Sequence, residues 1–125
     1  MQARITVLAI ALVVGQAAWA ADLPAKQGQS QLGIVLTDAQ GMTLYTFDKD
    51  ESGKSACVEA CAQNWPPLAA PAGAMGEGNF TVLARTDGTH QWAYKGKPLY
   101  RWIKDAKAGD TTGEGFKDMW HAARP

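Results

Sequence analysis

The feature that most constrains this chain is that it matches itself when Gly33–Trp65 is laid without gaps on Gly88–Trp120. Gly41-Met-Thr-Leu44-Tyr45-Thr-Phe47-Asp-Lys49-Asp50 falls on Gly96-Lys-Pro-Leu99-Tyr100-Arg-Trp102-Ile-Lys104-Asp105. In the same frame Gly33 meets Gly88, Glu59 meets Glu114 and Trp65 meets Trp120. That makes eight identities between the two segments. Ordinary residue usage would give roughly two, so the match marks an internal duplication. A unit this short cannot bury much apolar surface alone. The two copies are therefore expected to pack together as one domain, residues 32–125, with repeats at about 32–70 and 80–125.

Each copy has a legible local structure. Ile34–Thr37 is β-prone, Asp38–Gly41 is a turn and Met42–Phe47 is a second strand. In the second copy Phe80–Arg85, Thr89–Tyr94 and Lys97–Trp102 read as strands, with Lys95-Gly96 as a tight turn. Strand alternation puts Leu44 on one face and Tyr45 with Phe47 on the other; Leu99 against Tyr100 and Trp102 repeats this. Ser55–Asn64 is the best helical stretch, stopped by Trp65-Pro66-Pro67. The fold class expected is mainly β, a β-rich α+β chain. Its two tandem repeats would pack as one antiparallel β domain with short helical segments.

The first segment is an address. A basic start at Arg4, an apolar run from Ile5 to Val14 and Ala18-Trp19-Ala20 have the layout of a signal peptide cleaved after Ala20. Residues 21–31 are small and polar and read as a flexible leader. The mature chain is expected to be periplasmic or secreted, with no transmembrane segment. The first cysteine is Cys57, so no lipid-bearing cysteine follows the cleavage site. The whole chain carries 12 basic and 12 acidic residues, which gives no basic face for a nucleic acid.

Two motif copies and a cysteine block carry a resemblance. Tyr45-x-Phe47-x-x-Asp50 and Tyr100-x-Trp102-x-x-Asp105 resemble the Tyr-x-aromatic-x-x-Asp motif of a bacterial family of secreted-repeat lipoproteins of unknown function. The similarity takes in Cys57-x-x-x-Cys61 and Trp65-Pro66-Pro67-Leu68 after the first motif, and Gly109-Asp110-x-x-Gly113 with Trp120 after the second. It runs from about Leu32 to the C-terminus. This chain departs from the lipoprotein label because the lipidated cysteine is missing. The resemblance implies no established chemistry.

Several groups are candidates for chemistry. Cys57 and Cys61 favour a disulfide in an oxidising compartment. On a regular helix an i, i+4 pair sits near the upper limit for a bridge, so the turn is expected to be distorted. A dithiol redox pair and metal ligation are the alternatives. Asp48, Asp50 and Ser52, followed by Gly53 and by Glu59 at the twelfth place, approach the calcium-loop pattern D-x-[DN]-x-[DN]-G-x5-E. Against calcium, a strand precedes the loop, and the second copy keeps only Asp105 and Glu114. Met42, Met75, Met119, His90 and His121 offer thioether and imidazole donors that suit copper, at no diagnostic spacing.

The repeated aromatics read first as core. Tyr45, Phe47, Trp65, Tyr100, Trp102 and Trp120 supply the large buried area a small β domain needs. Asp50 and Asp105 would fix their local loops by accepting backbone N–H bonds. No nucleophile elbow, zinc-protease motif or phosphate loop is present. The function expected is a non-catalytic, envelope-associated binding or interaction module of unknown ligand, without a required cofactor. A metal-binding protein (calcium ahead of copper) and a thiol-redox or electron-transfer accessory are the alternatives.

Overall fold

The computed structural model describes residues 23–125. The segment expected to be a signal peptide, residues 1–20, and the expected cleavage site lie outside the described residues. The chain is mainly β, with antiparallel pairing throughout. In order, the elements are β1 (Lys26–Ser30), β2 (Gly33–Thr37), β3 (Tyr45–Phe47), α1 (Ala60–Asn64), β4 (Phe80–Ala84), β5 (His90–Tyr94), β6 (Lys97–Pro98) and β7 (Trp120–Ala122). A 3-10 turn, Phe116–Asp118, precedes β7. Among the described residues no helix is long and apolar enough to cross a membrane.

One element corrects the sequence reading. Part of the expected flexible leader is a strand: Lys26–Ser30 form β1 and pair along their full length with β2, from Lys26↔Thr37 to Ser30↔Gly33. The segment reads as unstructured because β1 is an edge strand with mostly solvent-facing polar residues. In the frame that lays Tyr45 on Tyr100, β1 falls on Thr81–Arg85, so it stands where β4 stands in the second copy. The first repeat therefore begins near Lys26 rather than at Leu32. The expected helix over Ser55–Asn64 is likewise shortened to Ala60–Asn64.

The repeats complete each other's sheets. β7, from the second repeat, pairs with β3 of the first, with Tyr45↔Ala122, Thr46↔His121 and Phe47↔Trp120 in register. The mirror contact is made by the segment after Trp65. Arg101 N donates to Pro66 O at 2.8 Å and Leu68 N to Leu99 O at 2.9 Å. This second bond matches Ala123 N to Leu44 O at 2.8 Å. The mirror copy of β7 is thinner because Pro66 and Pro67 have no N–H to give a ladder.

Alternation along the strands sorts the core into two clusters. Leu44 and Leu99 join Leu36, Phe80, Ala25 and Ala123 on one side. Tyr45, Tyr100, Trp65, Trp102 and Trp120 join Val35, Cys57 and Ala122 on the other, with Phe47 packed against them. The expected faces of both motif strands are the observed ones.

Candidate functional site

At the centre of the aromatic cluster each motif tyrosine reaches across to the other copy's aspartate. Tyr45 Oη donates to Asp105 Oδ2 at 2.6 Å, and Tyr100 Oη donates to Asp50 Oδ2 at 2.6 Å. Both tyrosines are fully buried. Burial first, and the carboxylate neighbour second, push both phenols far above the usual tyrosine range. They therefore stay protonated and act as donors.

The aspartates also hold their loops, as their motif position suggests. Asp50 Oδ1 accepts Ala56 N at 2.6 Å, while Asp105 Oδ1 accepts Thr112 N at 2.9 Å and Thr112 Oγ1 at 2.6 Å. Burial raises the Asp50 carboxyl above the ordinary aspartate value, opposed by its bonds to Tyr100 and Ala56 and by the nearby Arg85.

Four rings stack across the repeat boundary. Trp102 lies on Trp65 at 4.0 Å, Trp65 on Trp120 at 3.8 Å and Trp120 on Phe47 at 4.2 Å between centroids. The duplication maps Trp102 onto Phe47 and Trp65 onto Trp120, so the ladder is symmetric about its middle. Tyr45 meets Trp65 edge-on at 5.4 Å and Tyr100 meets Trp120 edge-on at 5.1 Å. These paired surroundings are equivalent, and the geometry suits aromatic packing.

Arg85 is not singled out by any sequence motif. It is buried, and Nη1 donates to Gln91 Oε1 at 2.7 Å and to Ser55 Oγ at 2.9 Å, while Nη2 donates to Cys57 O at 2.7 Å. Ser55 Oγ shares a 2.6 Å hydrogen bond with Tyr100 Oη. A buried guanidinium so held joins the cysteine loop to the second Tyr–Asp pair. The repeat comparison passes over it, because its first-repeat counterpart is Ser30.

Cys57 and Cys61 form a disulfide with their Cα atoms 5.2 Å apart. The regular helix starts only at Ala60, and Glu59 has φ 55°. The turn between the cysteines is thus distorted, as their spacing requires.

The acidic loop does not gather its carboxylates. Asp48 Oδ2 turns to His121 Nε2 at 2.9 Å, Asp50 is taken by Tyr100 and Ala56, and Ser52 and Glu59 are exposed. Among the described residues no group of three or more His, Cys, Asp or Glu side chains is placed to share a cation. The sulfur and imidazole candidates are also dispersed in role. Met75 is 82% exposed, Met119 packs on the aromatic cluster, and His121 is engaged by two carboxylates.

His121 Nδ1 lies 3.2 Å from Glu114 Oε2, so the ring bridges Glu114 and Asp48. The Asp48 bond, then Glu114, holds its pKa above the ordinary histidine value against partial desolvation. Glu114 Oε1 accepts Ala122 N at 2.8 Å. Pro66 and Pro67 stand at the places that match His121 and Ala122, so the repeat partner Glu59 has no equivalent imidazole or N–H.

Beside this bridge runs an open groove of about 300 Å³, lined by Thr46, Asp48, Tyr94, Lys95, Lys97, His121 and the Ala122–Arg124 segment. Lys95, Lys97 and Arg124 are exposed. At the matching places of the other repeat stand Gln40, Met42 and Ala69. The groove is thus a place where the two copies differ sharply in charge.

The family model for a secreted repeat of unknown function matches the chain twice, over residues 26–69 and 81–124. No curated protein and no solved structure showed a significant match. The two matched segments stand in the same register as the duplication, Lys26 on Thr81, and each carries one crossed Tyr–Asp motif. The chain therefore belongs to the family of secreted repeats of unknown function.

Proposed function

We propose that this secreted repeat protein is a non-catalytic, envelope-associated binding module that works in the periplasm or outside the cell after cleavage at Ala20. One observation carries the reading. The shared tyrosines, aspartates and tryptophans, Tyr45, Tyr100, Asp50, Asp105, Trp65 and Trp120, are consumed by each other in the core. Those motif residues are not free for a ligand, and the charged groove at Lys95, Lys97 and Arg124 is the clearest place on the surface where the copies differ. Largely preformed clefts with a few convergent polar groups are the usual sites of small-ligand recognition.

The test is an amide chemical-shift titration of the mature chain with soluble fragments of bacterial envelope. Binding on this reading moves a contiguous set of surface amides and leaves the core amides of Tyr45 and Tyr100 in place. A spectrum that stays unchanged at millimolar fragment contradicts it. So does turnover of the fragments by the purified protein.

A further inference from the structure

We propose that the groove at the end of the β5–β6 hairpin binds a phosphate ester, an inference that rests on the binding-module reading and names its ligand class. Lys95, Lys97 and Arg124 line one groove of about 300 Å³ with Thr46. Among the described residues, none of these three cations forms a salt bridge. The one carboxylate in the groove, Asp48, is taken up by His121 at 2.9 Å. A second acid, Glu114, holds that imidazole from its far side at 3.2 Å. Lys95 Nζ rests over the Tyr94 ring at 5.3 Å, and three cations without a carboxylate partner beside an acid already engaged favour a multiply charged oxyanion. A guanidinium matches phosphate oxygens in bidentate fashion, and the lysines add point charge.

Two further observations point the same way. Lys95 takes φ 52° in a two-residue turn with Gly96 at φ 83°. A turn with both residues at positive φ favours Asn-Gly, so lysine is the more strained choice at this place. The charge is also private to one copy. Gln40, Met42 and Ala69 occupy the places of Lys95, Lys97 and Arg124 in the other repeat. Met42 and Ala69 show that the fold accepts uncharged residues at two of these places, while Gln40 lies in a turn of different shape from that of Lys95.

The other repeat also supplies a control that should fold. The triple variant Lys95→Gln, Lys97→Met, Arg124→Ala places in the groove what its own mirror already carries. The mature protein and this variant are titrated with glycerol 3-phosphate, inorganic phosphate and glycerol, with amide shifts as the readout. Both are also sedimented with vesicles of phosphatidylglycerol or of phosphatidylcholine. Glycerol 3-phosphate is expected to shift Thr46, Lys97 and Ala123, glycerol to shift nothing, and the variant to bind at least about tenfold more weakly, as loss of charge-assisted contacts requires. Shifts with the free esters assign a soluble phosphate. Sedimentation with phosphatidylglycerol alone, lost in the variant, assigns a lipid headgroup; either outcome supports the shared chemistry. Equal binding by the variant overturns the proposal, as does silence in both arms. Envelope fragments that shift a different face while phosphate esters do nothing sink this groove and leave the binding-module reading standing.

Discussion

Tyr45 and Tyr100 exchange both of their backbone hydrogen bonds, Tyr45 N to Tyr100 O at 2.8 Å and Tyr100 N to Tyr45 O at 2.9 Å. The reciprocal pair places equivalent residues of the two copies face to face, where a pseudo-twofold axis must pass. From that point each side chain extends to the opposite copy's aspartate. The duplication read in the sequence is therefore a device for mutual completion, in which each half supplies what the other lacks.

Removing either ring should be costly. Tyr45→Ala and Tyr100→Ala are each expected to destabilise the fold by about 3–5 kcal/mol, the range for deleting a large buried aromatic. Tyr45→Phe and Tyr100→Phe should cost about 1–3 kcal/mol, because each strands a carboxylate oxygen. Urea unfolding measures all four. Unchanged midpoints in the alanine variants would refute an architectural role.

The two aspartates should respond unequally to loss of charge. In Asp50→Asn the amide group faces the Tyr100 phenol, whose proton turns to Ser55 Oγ at 2.6 Å. Every group keeps a partner, and burial already favours the neutral form of Asp50. In Asp105→Asn, Gly113 N already donates to Tyr45 Oη at 3.2 Å and Thr112 claims Oδ1. The Tyr45 proton then has no acceptor, a loss of about 1–3 kcal/mol. Denaturant melts that rank Asp50→Asn as the more damaging change would contradict the assigned hydrogen bonds.

Gly113 is required by space. A Cβ there would lie 2.8 Å from Trp65 Cη2 and 3.0 Å from Tyr45 Cε2, inside the aromatic cluster. Gly113→Ala should lower stability by about 1–3 kcal/mol, the usual cost of overpacking. It should also broaden or shift the Trp65 indole resonance. A neutral substitution would show that the ladder is loosely packed.

The His121 bridge gives a pH dependence of definite sign. Its carboxylate partners raise the folded-state pKa above the ordinary 6.5. Its stabilisation is therefore complete below about pH 6.5 and fades as pH rises through the folded value. The ring is about half exposed, so solvent screening limits the effect to a few tenths up to about 1 kcal/mol. The stability gap between the native chain and His121→Gln should be widest in mild acid and close in mild alkali. A gap that widens with pH would reverse the assignment.

How far this was legible follows from which residues the copies share. The faces of Leu44, Tyr45 and Phe47 were readable because strand alternation is local. The matched burial of Trp65 and Trp120 was readable because both occupy the same place in their repeats. The crossing of Tyr45 to Asp105 was not, since sequence spacing cannot tell a tyrosine's own aspartate from its twin's. β1 escaped because an edge strand needs no apolar pattern, and Lys26–Ser30 shares no identity with Thr81–Arg85. Arg85 and the Lys95–Lys97–Arg124 groove escaped for the opposite reason. They are the places where duplication was abandoned, and a search for repetition passes over them.

Mutual completion is tested most directly by cutting the chain in the Pro71–Asn79 linker and preparing residues 21–76 and 77–125 separately. Each half alone should give the narrow amide dispersion of an unfolded chain, and mixing them in equal amounts should restore the dispersed spectrum of the intact protein. A half that folds by itself, with dispersed amides and a cooperative melt, would contradict the claim that the repeats build one core between them.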